Sequence, residues 1–168
     1  MVQEKSNKRL SEQGFTLIET MVSLFIILTV VSAGFFAIRV GLQSTFAARD
    51  QVTAFFLAQE AVEIVKNIRD SNSVTETVWN EGIIGDCETR DCAADATSGA
   101  LSVCSGDCVL LRDTNGLFGH QSGARTRFSR SVRIQQVPNN ASELRIDVVV
   151  RYGTRTLEIS EQIFDWRI

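Results

Sequence analysis

From Phe15 to Ile38 the chain holds a single charged residue, Glu19, in an otherwise apolar run. As a helix rising about 1.5 Å per residue, this stretch is roughly 36 Å long, enough to cross a hydrocarbon core of about 30 Å. Lys5, Lys8 and Arg9 precede it and Arg39 closes it. Basic residues ahead of an apolar span hold that end in the cytoplasm, so the rest of the chain is expected outside, on a single-pass inner-membrane protein. An ordinary secretory signal starts the same way, and Val31-Ser32-Ala33 before Gly34 would serve as its cleavage site. A secreted or permanently anchored binding module is therefore the alternative. Neither version explains Glu19, because a carboxylate in hydrocarbon is costly and normally marks a function.

The residues around that charge are Gly14-Phe15-Thr16-Leu17-Ile18-Glu19. They closely resemble the GFTLIE motif of type IV prepilins and type II secretion pseudopilins. The resemblance implies a leader, residues 1–14, removed by a prepilin peptidase after Gly14, with the same enzyme methylating the new amine of Phe15. It also makes Glu19, with Thr16 beside it in the motif, the assembly element. A cationic amine at Phe15 and a carboxylate one turn on can neutralise each other within a subunit. Between subunits the same pair becomes a register device for a filament. Many major pilins carry a proline in the membrane half of the helix, and this chain has none there. Gly34 and Gly41 are the only weak points, each costing about 1 kcal/mol relative to Ala in a helix interior.

Beyond Arg39 the helical pattern continues without a stop signal. Ala54, Leu57, Ala58, Ala61, Ile64, Val65 and Ile68 recur at spacings of three and four, with Gln59, Glu60, Glu63, Lys66 and Asn67 on or near the other side. The turn-formers Asp70-Ser71-Asn72-Ser73 then close the run. The expectation is one long helix from about Phe15 to Arg69. Residues 15–39 form its transmembrane, filament-core half and residues 40–70 its amphipathic half. Phe46, Phe55 and Phe56 are expected in the core or at subunit contacts.

Near the C-terminus three segments alternate at period two, the pattern of half-buried strands. In Thr126 to Val137, Phe128, Val132 and Ile134 share one face, with Arg127 and Arg133 on the other. Leu144 to Tyr152 and Thr156 to Phe164 follow, joined through Asn139-Asn140 and Gly153-Thr154. Val109-Leu110-Leu111 is a candidate fourth strand. The fold class is therefore α+β: a pilin-like fold with one long N-terminal helix packed on a C-terminal antiparallel β-meander, residues 126–168. The closing hairpin, ending Phe164-Asp165-Trp166-Arg167, resembles the C-terminal end of minor pilins and pseudopilins.

Residues 71–125 read as a variable, cysteine-containing loop region. Cys87, Cys92, Cys104 and Cys108 have spacings that suit local disulfides outside the cytoplasm better than zinc knuckles, and three pairings are open. No metal and no cofactor is expected. Asp113-Thr114-Asn115-Gly116 lacks the later oxygen donors of a calcium loop and reads as a turn. His120 lies in a Gly- and Ser-rich loop with no nucleophile pattern near it and is expected to be solvated. Nothing in the sequence suggests an enzyme.

A net charge of −3 excludes bulk attraction to nucleic acid, yet the charge is uneven. Residues 112–168 hold nine arginines against six acids, and the stretch from Asp70 to Asp107 is acidic. Arg125, Arg127, Arg130 and Arg133 are read as a solvated face paired with Asp147, Glu158 and Glu161, and nucleic acid as an unlikely partner. The resemblance implies as partners other pilin subunits, the prepilin peptidase and an inner-membrane assembly platform, with the subunit ending in a cell-surface or periplasmic filament.

Overall fold

A computed structural model of the chain describes Gly14 and residues 16–166. Two compact units divide it, Met1–Phe46 and Ala47–Ile168. The leader expected over residues 1–14 lies, apart from Gly14, outside the described residues.

Helix α1, Leu17–Val74, contributes to both units. In the first unit its large apolar side chains are bare: Leu17, Phe25, Phe35 and Phe36 are each about two-thirds or more exposed. In the second unit one stripe of the helix is covered. Ala54, Leu57, Ala58, Ala61, Ile64 and Val65 are buried as their spacing predicts, joined by Val62, and Ile68 packs at the margin. The alanines let the helix approach the sheet closely, and the larger residues fill the space on either side.

The helix outruns its expected end at Arg69 by more than a turn. The polar residues there carry it on by using their side chains as backbone partners. Ser73 Oγ donates to the Arg69 carbonyl at 3.0 Å, and Thr75 Oγ1 donates to the Ser71 carbonyl at 2.9 Å. Asn72 Nδ2 donates to the carbonyls of Trp79 and Glu81, at 3.1 and 2.8 Å, and so ties down the chain that follows. That tie brings Trp79 and Ile83 into the core.

The sheet has seven strands, all antiparallel. Its centre is β5, Ala124–Val137. One edge of β5 pairs along its length with β6, Asn140–Tyr152, which pairs in turn with β7, Arg155–Phe164. The other edge is shared by two partners. β3, Val109–Arg112, takes the first half and carries β4, Phe118–Gly119. β1, Cys92–Asp95, touches the second half at Val132 and carries β2, Ala100–Val103. Asn139 adopts φ 64° in the β5–β6 connection, a conformation asparagine tolerates. Gly123 is required before β5, because a Cβ there would lie 2.4 Å from the Arg112 carbonyl oxygen. The meander and the Val109 strand thus form as expected. The region 71–125 is more ordered than a loop, holding α2 (Asp86–Thr89) and the four short strands β1 to β4.

Two sequence expectations are corrected here. Arg130 is not solvated but completely buried. It shares the inward parity of Phe128, Val132 and Ile134, and its guanidinium donates to Glu60 Oε2 at 2.5 Å and to the carbonyls of Leu57 and Ala94. His120 is half-buried rather than solvated, with its Nε2 enclosed and lacking a hydrogen-bond partner. Phe46, Phe55 and Phe56 are exposed, so of their two expected places the core is excluded and the subunit contact is left. The outer arginines do pair, though not as foreseen: Arg127 with Asp50, Arg133 with Asp91, and Arg145 with Asp147, while Glu161 pairs with Lys66 on the helix.

Candidate functional site

The site follows from how α1 begins. Thr16 is its N-cap: the Thr16 carbonyl accepts from the amides of Glu19 and Thr20, and its Oγ1 also accepts from the Glu19 amide at 3.3 Å. A threonine three residues ahead of a glutamate is the capping-box spacing, which was present in the motif and went unread in the sequence. Glu19 therefore sits in the first helical turn, where the helix dipole favours a negative charge. Gly14 is exposed, and a Cβ added to it would meet nothing within 4 Å. Nothing among the described residues thus demands glycine at that position. Phe15, the residue expected to carry the processed amine, lies outside the described residues.

The helix that follows is built for an apolar solvent. Its best 18-residue window has a mean hydropathy of 2.5 and is wholly uncovered by the rest of the chain. Three hydroxyl groups within it are spent on the helix itself. Thr20 Oγ1 donates to Leu17, Thr29 Oγ1 to Ile26 and Ser32 Oγ to Leu28, each a carbonyl at 2.7 to 2.8 Å. Lipid offers no hydrogen bonds, so polar groups bound within the helix are what a spanning segment needs. Gly34 and Gly41 fall inside the helix without interrupting it, and a Cβ at either would meet open space.

In the second unit, Cys87 pairs with Cys92 and Cys104 with Cys108. The hairpin explains why these local pairings form. Cys92 faces Val103 across β1–β2, so neighbouring Cys104 directs its side chain to the opposite face, away from Cys92. Asp113 accepts from the Leu117 amide at 2.8 Å and closes a turn into β4, as its sequence indicated. Asp95, also buried, has its carboxyl pushed up by burial, but hydrogen bonds from the backbone of Thr97, His120 and Ser98 outweigh this and hold it below the ordinary value. His120 is held below its ordinary value first by burial, then by the nearby Arg130 charge.

Compared with known proteins, residues 9–35 match the family described as the prokaryotic N-terminal methylation motif. No curated protein and no solved structure matches the chain. The matched segment contains Gly14, Phe15, Thr16 and Glu19 and runs into the bare apolar half of α1. Over residues 9–35 the chain therefore carries the prepilin-type signature found in type IV pilins and pseudopilins.

Proposed function

We propose that this chain is a minor pilin or pseudopilin: a structural subunit, not an enzyme, that is stored in the inner membrane and drawn from there into a type IV or type II secretion-type filament. Prepilin peptidase cuts after Gly14 and methylates the amine of Phe15. The soluble unit lies outside the cytoplasm, where its cysteines are oxidised, and an inner-membrane assembly platform lifts the processed subunit into place. Phe46, Phe55 and Phe56, exposed on α1, are then contacts with neighbouring subunits.

One observation carries this reading: the methylation signature ends in a capped, fully exposed apolar helix whose only charge through Ile38 is Glu19. An acid in that position needs a cationic partner, and the Phe15 amine of an adjacent subunit supplies one without a further side chain. The test is incorporation. Glu19→Ala should leave membrane insertion and the folded soluble unit intact while the subunit disappears from sheared filaments. If Glu19→Ala is recovered in filaments at the wild-type level, Glu19 has no assembly role.

A further inference from the structure

One end of the sheet concentrates positive charge that the filament reading does not use. Across the strands, Phe128 of β5 faces Tyr152 of β6, which faces Arg155 of β7, and Ser129 faces Arg151. Arg125 and Arg127 lie just before this level on β5, so four arginines gather at one end of the sheet. All four are exposed. Only Arg127 has a carboxylate, Asp50 of α1 at 2.8 Å. Arg125, Arg151 and Arg155 form no salt bridge among the described residues. Asp107, beside Arg127 and Arg151, and Glu158, on the same face as Arg151, are acids near this end, neither in a salt bridge with these arginines. The overall charge of the chain is negative, so this basic end is a local departure and not an average property.

The Arg127–Asp50 pair also fixes which end of the sheet this is. Asp50 follows closely on Arg39, the residue that closes the apolar span. The chain between them reaches no further than roughly 40 Å even at full extension. While the span is in a bilayer, the arginines are tethered near its surface, and a tether turns weak attraction into persistent contact. We infer that the arginine-rich end of the sheet rests on anionic phospholipid headgroups while the subunit waits in the membrane, an inference that depends on the membrane-stored reading above. Guanidinium groups suit phosphate oxygens, which they can engage with two parallel N–H donors.

Nucleic acid offers the same phosphates, but the geometry favours lipid. Binding to single strands uses exposed aromatic faces among the cations. At this end the rings are turned inward: Phe128 and Tyr152 are each 7% exposed and pack against one another. The exposed Phe164 and Trp166 lie at and just beyond the far end of β7.

Full-length protein would be placed in nanodiscs of phosphatidylcholine alone or with a one-third share of phosphatidylglycerol, and amide exchange followed by mass spectrometry over residues 151–156. Anionic discs should slow exchange there several-fold relative to neutral discs. High salt should remove the difference, as should the triple variant Arg125→Gln, Arg151→Gln, Arg155→Gln. Each exposed arginine near an anionic surface is worth roughly fivefold in binding, so losing three weakens the contact on the order of 100-fold. Equal exchange in both discs, or an unchanged triple variant, would overturn the inference while leaving the membrane reading intact. Failure of the chain to enter either disc would overturn both. Protection produced by an added single-stranded oligonucleotide, but not by anionic lipid, would assign the arginines to nucleic acid and overturn the lipid contact.

Discussion

The two halves of α1 have the same backbone and meet different surroundings. Up to Phe46 the apolar side chains of the helix are bare, whereas from Ala54 onward a stripe of alanines and larger aliphatic residues is sealed under a sheet. Apolar content alone therefore does not mark a core. What separates the halves is periodicity: apolar residues on every face in the first, one stripe with charges opposite in the second. Each half treats its buried or lipid-destined charge differently. Glu19 stands exposed in the first turn of the bare helix, while Arg130 is enclosed and met by Glu60 and two carbonyls. Glu60 and the two carbonyls satisfy the two terminal nitrogens of Arg130, while its Nε is enclosed without a hydrogen-bond partner.

The most damaging change to this contrast should be Glu60→Ala. It leaves the fully buried Arg130 without its carboxylate, a loss of about 3–5 kcal/mol in denaturant unfolding of the soluble unit. Glu60 is partly exposed, so the lower part of that range is expected. Replacing its exposed neighbour Glu63 should change little. Next in size is Ala61→Leu, which forces extra volume between helix and sheet and should cost about 1–3 kcal/mol. The same change at Ala37, on the bare half, should leave unfolding of the soluble unit unaltered. If the two substitutions behave alike, the division of the helix is wrong.

The smallest effect is on pH dependence. His120 titrates lower in the fold than its ordinary 6.5, so the unfolded chain binds the proton first. Stability should hold above that value and decline as pH falls below it, until the folded-state imidazole also protonates. His120→Gln should remove this slope. A second decline, from Asp70 and Asp95, whose carboxyls are lowered in the fold, belongs below 3.8 and should remain.

Much of this was legible because long elements repeat their signal. The stripe from Ala54 to Ile68 and the alternation in β5, β6 and β7 each run long enough to fix which face is buried. The strands β1, β2 and β4 were not, because two to four residues cannot display a period, and β1 is buried along all four of its residues. Arg130 is legible only by parity: its arginine neighbours suggest a solvated face, while its place in the alternation puts it with Phe128 and Val132. The extension of α1 to Val74 depends on side-chain bonds from Ser73, Thr75 and Asn72, residues whose ordinary preference is to end a helix. At the N-terminus the letters of the motif carry the methylation signature, and the structure adds that Thr16 caps the helix in whose first turn Glu19 stands.

The central claim is processing between Gly14 and Phe15, and the intact mass and N-terminal sequence of the chain recovered from its native membrane test it most directly. The account predicts a chain that begins at N-methylated Phe15. A chain that begins at Gly34, or one that still carries Met1, would contradict it.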